Sequence, residues 1–175
     1  MNAPRRLATG LALLLIAGCT DARSIAAPAS PVGSAASPAH RVDASGHFDA
    51  NVDFTTLRLT PRGRNCLIDV DGQLVFTGTI VGVATAHTQA LVSATCAQVA
   101  SAPPGTYPDV FHSKLSFTGT VDGVPTQADG MYAGRSQPGG AIDGRFVFSS
   151  GMAGELDVQA RIAVGGTYEG AVVVH

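Results

Sequence analysis

Any chemistry in this chain must come from a short set of side chains. Five histidines are present, His40, His47, His87, His112 and His175. None has a partner at a metal-site spacing such as His-x-His or His-Glu-x-x-His. His47 and His112 share strand parity with polar neighbours, which predicts solvent exposure. Asp69-Val-Asp71-Gly72 has the opening of a calcium loop, but the third oxygen ligand and the distal Glu are missing. A two-residue hairpin turn at Asp71-Gly72 explains it more cheaply. Glu155 and Asp157 share a strand face, as general acid/base pairs do. The same face carries Gln159 and Arg161, and reads as the solvated side. There is no Gly-x-Ser-x-Gly elbow, no phosphate loop and no nucleophile with a visible partner. The expectation is no catalytic residue, no metal and no cofactor.

The cysteines say more. Arg5-Arg6 form a positive n-region, and residues 7–16 form an apolar run too short to span a bilayer comfortably. Ile16-Ala17-Gly18-Cys19 follows, and resembles the lipobox of bacterial lipoproteins: a branched apolar residue, two small ones, then cysteine. That resemblance implies a leader of residues 1–18, cleaved before an acylated Cys19, because several acyl chains hold a protein at a membrane where one does not. The twin-arginine motif beyond Arg5-Arg6 is absent, so the general export route is expected. Thr20 stands where Asp would favour inner-membrane retention. The expected address is therefore the cell envelope, at the outer membrane facing the periplasm or the surface. With Cys19 assigned to lipid, Cys66 and Cys96 remain as a disulfide pair in an oxidising compartment, a reading preferred over metal binding by two lone cysteines.

A chain of 175 residues suffices for one domain plus tails, and 45% hydrophobic residues can build a core. Net charge is −2; without Arg5 and Arg6, 9 basic residues face 13 acidic ones, a charge of −4. That is no footprint for nucleic acid. Up to residue 45 the composition turns to Ala, Pro and Ser, so residues 19–45 read as a lipidated tether with a coil span of roughly 25–30 Å. The domain is expected over residues 46–175.

Within it, period-two alternation marks strand after strand. Phe48, Ala50, Val52 and Phe54 alternate with polar residues. Leu57 and Leu59 resume on the other parity, and a bulge at Thr55-Thr56 would restore the register. Cys66, Ile68 and Val70 lead to the expected turn at Asp71-Gly72, and a return strand runs from Gln73 to a break at His87-Thr88-Gln89. Leu91 to Cys96 reads as another strand, and 102–108, with two adjacent prolines, as a loop. Phe111 to Val121 is the clearest strand, followed by turns at Asp122-Gly123, 137–140 and Gly165-Gly166. Phe76-Thr-Gly-Thr-Ile-Val-Gly-Val returns as Phe117-Thr-Gly-Thr-Val-Asp-Gly-Val. Glycines repeated in this way belong to close backbone approaches in a curved sheet or to turns. The result is eight or nine antiparallel strands and no convincing helix after the leader. An up-and-down barrel is expected, with a two-sheet β-sandwich as the alternative.

The run Gly165-Gly-Thr-Tyr-Glu-Gly-Ala-Val172, the Phe-Thr-Gly-Thr strands and the strand count resemble the bacterial proteins around the allene oxide cyclase-type barrel. That group includes DUF3224-like domains and, more distantly, plant dirigent proteins. The resemblance spans residues 46–175 and implies an eight-stranded barrel with an apolar interior. It transfers no catalytic residue. Phe-Thr-Gly-Thr is also similar to a strand of avidin-like barrels, but this chain has no Trp to stack on biotin.

Phe48, Phe54, Phe76, Phe111, Phe117, Phe146, Phe148 and Tyr168 fall on apolar faces and read first as core. If the barrel is open at one end, Phe76, Phe117, Phe146, Phe148 and Tyr168 are the candidates to line a pocket for an apolar ligand. The function expected is that of a monomeric, lipid-anchored envelope protein, a non-enzymatic module that binds an apolar small molecule or an envelope protein. The alternatives are a barrel isomerase or cyclase acting on an apolar small molecule, and a purely structural envelope protein.

Overall fold

The computed structural model describes residues 39–175, so the expected leader, the lipidation of Cys19 and most of the expected tether lie outside the described residues. Eight strands follow one another: β1 His40–Arg62, β2 Asn65–Gly78, β3 Ile80–Val92, β4 Asp109–Val121, β5 Val124–Ser136, β6 Ala141–Ser150, β7 Met152–Arg161 and β8 Gly165–Val174. A short helix, α1 Cys96–Ser101, lies between β3 and β4. Each strand pairs antiparallel with the next, and β8 pairs with β1, closing a barrel rather than a sandwich. Closure removes the unpaired edges that an open sheet of this size would expose.

Several local expectations fail for tertiary reasons. β1 begins at His40, ahead of the expected domain start at Gly46, and His40 to Ser45 pair with Val174 to Glu169. Val42 and Ala44 are the inward residues there, 6% and 2% exposed, an alternation too short to stand out among polar neighbours. Asp71-Gly72 is no turn. Asp71 lies between Asp53 and His87, and Gly72 between Val52 and Ala86, in mid-strand. The turn-forming pair instead faces a bulge, where β1 runs from Asp53 to Arg58 while β2 runs only from Asp71 to Asp69. Thr56 in that bulge accepts the Asp71 N–H at 2.9 Å. The bulge expected at Thr55-Thr56 is thus present, and longer than one residue.

The reversal expected at Asp71-Gly72 comes at Gly78-Thr79, and β3 passes unbroken through His87-Thr88-Gln89. Residues 93–96 do not extend the strand. Thr95 caps α1, its hydroxyl accepting from Gln98 N at 3.4 Å while Gln98 Oε1 accepts from Thr95 N at 3.0 Å. This Thr-x-x-Gln capping box starts a helix where alternation predicts strand. The turn expected at Gly165-Gly166 falls just before it, with Ala163 at φ 55° and Val164 62% exposed. Asp122-Gly123, with φ of 49° and 78°, does form the expected two-residue hairpin.

The repeated glycines serve both expected purposes. Gly78 and Gly123 lie at turns with positive φ. Gly82 and Gly119 are ladder partners, and the Phe117 ring covers both: a Cβ would lie 3.0 Å from that ring at Gly82 and 2.7 Å at Gly119. The glycines supply the space into which the ring folds. Around it, Phe76 meets Phe117, Phe146 and Tyr168 at centroid distances of 5.9, 5.3 and 5.7 Å, all edge-on. Such ring pairs add about 0.5–1.5 kcal/mol each beyond area burial. They fill the end of the barrel at which β1 begins and β8 ends.

Candidate functional site

The other end is not filled. A cavity of about 400 Å³ opens among the residues of β1 to β7, beneath the long connection from β3 to β4. That is the small end of the ~300–1,000 Å³ typical of ligand pockets. Its cause is the run of small residues facing inward along the second half of β3: Ala86, Thr88 and Ala90. Gly72 on β2 and Ser113 on β4 flank them as ladder partners of Ala86 and Thr88. A wall so built cannot meet the opposite side. The lining from β1 is apolar too: Phe48 and Val52 before the bulge, Leu57 and Leu59 after it. The parity change at the bulge keeps both pairs lining the cavity.

The mouth is partly covered by α1 and residues 102–108, with Val99, Pro103 and Tyr107 among the lining side chains. None of the residues of α1 is buried, so packing holds it weakly. Two tethers compensate. The Cys66–Cys96 disulfide, spanning 30 residues, ties α1 to β2. Gly139 N–H donates to Gly105 O at 2.9 Å, tying the loop to the turn between β5 and β6. Phe54, which the alternation placed in the core, lies in the bulge at this mouth and is 55% exposed.

Polar groups are few and specifically placed. Thr88, Ser113 and Tyr132 occupy consecutive ladder positions on β3, β4 and β5, all lining the cavity. The Thr88 and Ser113 hydroxyls are 2.7 Å apart. Tyr132 is 6% exposed, and its hydroxyl is the one buried side-chain polar atom without a hydrogen-bond partner among the described residues. Burial raises the Tyr132 phenol well above the ordinary tyrosine value, so it remains a proton donor. Nearer the rim, burial raises the Asp109 carboxyl, against which the Ser136 hydroxyl donates to Asp109 Oδ2 at 2.7 Å. Tyr168 contrasts with Tyr132. Its hydroxyl accepts from Ile80 N at 2.9 Å and donates toward Thr77 O at 3.1 Å, and it serves the wall rather than a site.

The five aromatic candidates for a pocket lining lie elsewhere than this cavity. Phe76, Phe117, Phe146, Phe148 and Tyr168 are at most 2% exposed, pack the filled half, and do not line this cavity. Space follows from small residues rather than from bulk, and Ala86-x-Thr88-x-Ala90 is the sequence signal for it. Outside the barrel, Glu155 pairs with Arg145, and His87 sits between Asp71 at 2.8 Å and Asp69 at 3.6 Å. Gln89 Nε2 donates to Asp69 Oδ2 at 3.0 Å, so the two aspartates of the calcium-like sequence are engaged on the outer face. His47 and His112 are exposed.

No family model matches the chain, and no curated protein matches it. Among solved structures it is similar to a protein with unknown function from the DUF3224 family of Shewanella oneidensis MR-1. The two are 14% identical, over 78% of this chain and 99% of that chain, with a TM-score of 0.46.

Proposed function

We propose that this chain is a lipid-anchored envelope protein whose barrel binds an apolar small molecule without transforming it. The observation that carries the reading is the half-empty barrel: an apolar cavity of about 400 Å³ above a tightly packed aromatic half. A domain of this size gains stability by filling its core, and keeping such space costs packing energy. Ile16-Ala17-Gly18-Cys19 supports the anchor, and Cys66–Cys96 fits an oxidising compartment.

The test is native mass spectrometry of residues 39–175 produced in an oxidising compartment. Among the described residues the core runs from Val42 to Val174, and the sheet closes within them. A small molecule that co-purifies, or loads from a lipid extract and leaves unchanged, supports the reading. A clean apo mass after both treatments refutes it. A barrel isomerase or cyclase is the second reading, favoured by the polar residues Tyr132, Ser113 and Thr88 in the cavity lining. Cargo recovered with altered structure would decide for it. A purely structural role has less support, since it asks for a barrel filled throughout.

A further inference from the structure

Tyr132 sits on the cavity wall among rings: Phe111 at 4.9 Å, Phe146 at 4.5 Å and Phe48 at 6.1 Å between centroids. Its ring also lies over Gly144, where a Cβ would come within 3.0 Å of it. Packing on several sides fixes the ring. The hydroxyl gains nothing from these neighbours, and a buried donor left unpaired is costly. A phenylalanine would fill the same space without that cost. The hydroxyl therefore calls for a partner that the protein does not itself provide. Beside it, Ser113 and Thr88 share one hydrogen bond, one hydroxyl donating to the other at 2.7 Å.

The charges around the cavity restrict that partner further. The charged residues lining it are Asp71, whose carboxylate is engaged by His87 on the outer face, Asp109 and Arg161, and none belongs to the row of Thr88, Ser113 and Tyr132. An anionic head beside Tyr132 would meet no cation in that row, and a cationic head no anion. Either would have to shed its water in an apolar cavity. A neutral acceptor sheds far less, and one donor satisfies it.

Resting on the binding reading above, we infer that the ligand is a neutral, largely apolar molecule bearing one oxygen acceptor, such as a ketone, aldehyde or ester carbonyl. It enters acceptor-first and accepts the Tyr132 hydroxyl proton, and its apolar remainder fills the space beside Ala86 and Ala90 under Leu57 and Leu59.

The experiment uses residues 39–175 and two matched fluorescent probes: a dimethylaminonaphthyl ethyl ketone, and its propyl analogue in which a methylene replaces the carbonyl. Each is titrated against the unchanged protein and against Tyr132→Phe, which keeps the ring and so the packing. Tyr132→Phe is expected to weaken ketone binding about 5- to 30-fold while the propyl analogue changes by less than about twofold. The emission of the bound ketone, red-shifted by a hydrogen bond to its carbonyl, should move to the blue in the variant. Equal changes for both probes, or an unchanged ketone affinity and emission, would overturn the anchoring role of Tyr132 while leaving the binding reading intact. Failure of both probes to bind the unchanged protein would overturn the binding reading and this inference with it.

Discussion

The hydroxyl of Tyr168 on β8 accepts a hydrogen bond from the Ile80 amide at 2.9 Å, joining residues 88 positions apart. The ring reaches that turn because Gly46 and Gly78 leave it room: a Cβ would lie 2.5 Å from the hydroxyl at Gly46 and 3.3 Å at Gly78. One aromatic residue thus locks the wall at the filled end, β8 to the turn between β2 and β3. The other buried tyrosine of the barrel, Tyr132, locks nothing.

This contrast predicts opposite responses to the same chemical change. Tyr168→Phe strands the fully buried Ile80 N–H and should cost about 1–3 kcal/mol in denaturant unfolding. Tyr132→Phe removes an unpartnered hydroxyl and should be neutral or mildly stabilising. Equal losses in the two variants would contradict this division of roles.

The Cys66–Cys96 bridge closes 30 residues and should contribute roughly 3–4 kcal/mol in the chain-entropy account. Replacing both cysteines by alanine should lower the midpoint of unfolding accordingly. It should also speed amide exchange in 93–108 before the strands are affected, because α1 buries no residue of its own. Uniform acceleration across the barrel would mean that the bridge holds the sheet rather than its cover.

Ala90 faces the cavity between its ladder partners Ile68 and Phe111, and is 8% exposed. Ala90→Phe should place a ring in the empty space and reduce binding of the naphthyl ketone at least about tenfold, with little change in melting temperature. Undiminished binding would put the probe elsewhere on the protein.

Burial raises the Asp109 carboxyl above its unfolded value of 3.8, so the native state holds this proton more tightly than the unfolded chain. As pH rises from near that value through the higher folded one, the unfolded state releases its proton first, and native stability falls. Asp109→Asn keeps an oxygen acceptor for Ser136 and removes the titration. Its stability relative to the unchanged protein should therefore rise with pH across that window and level off above it, read as melting temperatures at a series of pH values. A difference independent of pH would show that Asp109 ionises without penalty.

Period-two alternation, the glycine repeats and the turn at Asp122-Gly123 made the eight-stranded barrel legible, because each strand must bury one face whatever its partner. The cysteine count pointed to the bridge between Cys66 and Cys96. Other features depended on contacts between distant residues. Asp71-Gly72 has turn chemistry, yet the bulge of β1 holds it in mid-strand through Thr56. Closure onto β8 drew His40 to Ser45 into β1.

The cavity was hidden for a different reason. Inward-facing alanine and inward-facing phenylalanine both read as core in one dimension, and only closure decides which meets an opposing side chain and which faces space. In this barrel the aromatic residues meet one another at one end. The small residues Ala86, Thr88 and Ala90 face the opening at the other. Composition and alternation determined that eight or nine antiparallel strands would form, with a barrel expected and a sandwich still open. Register and closure decided where the sheet stayed empty, and left the Tyr132 hydroxyl without a partner.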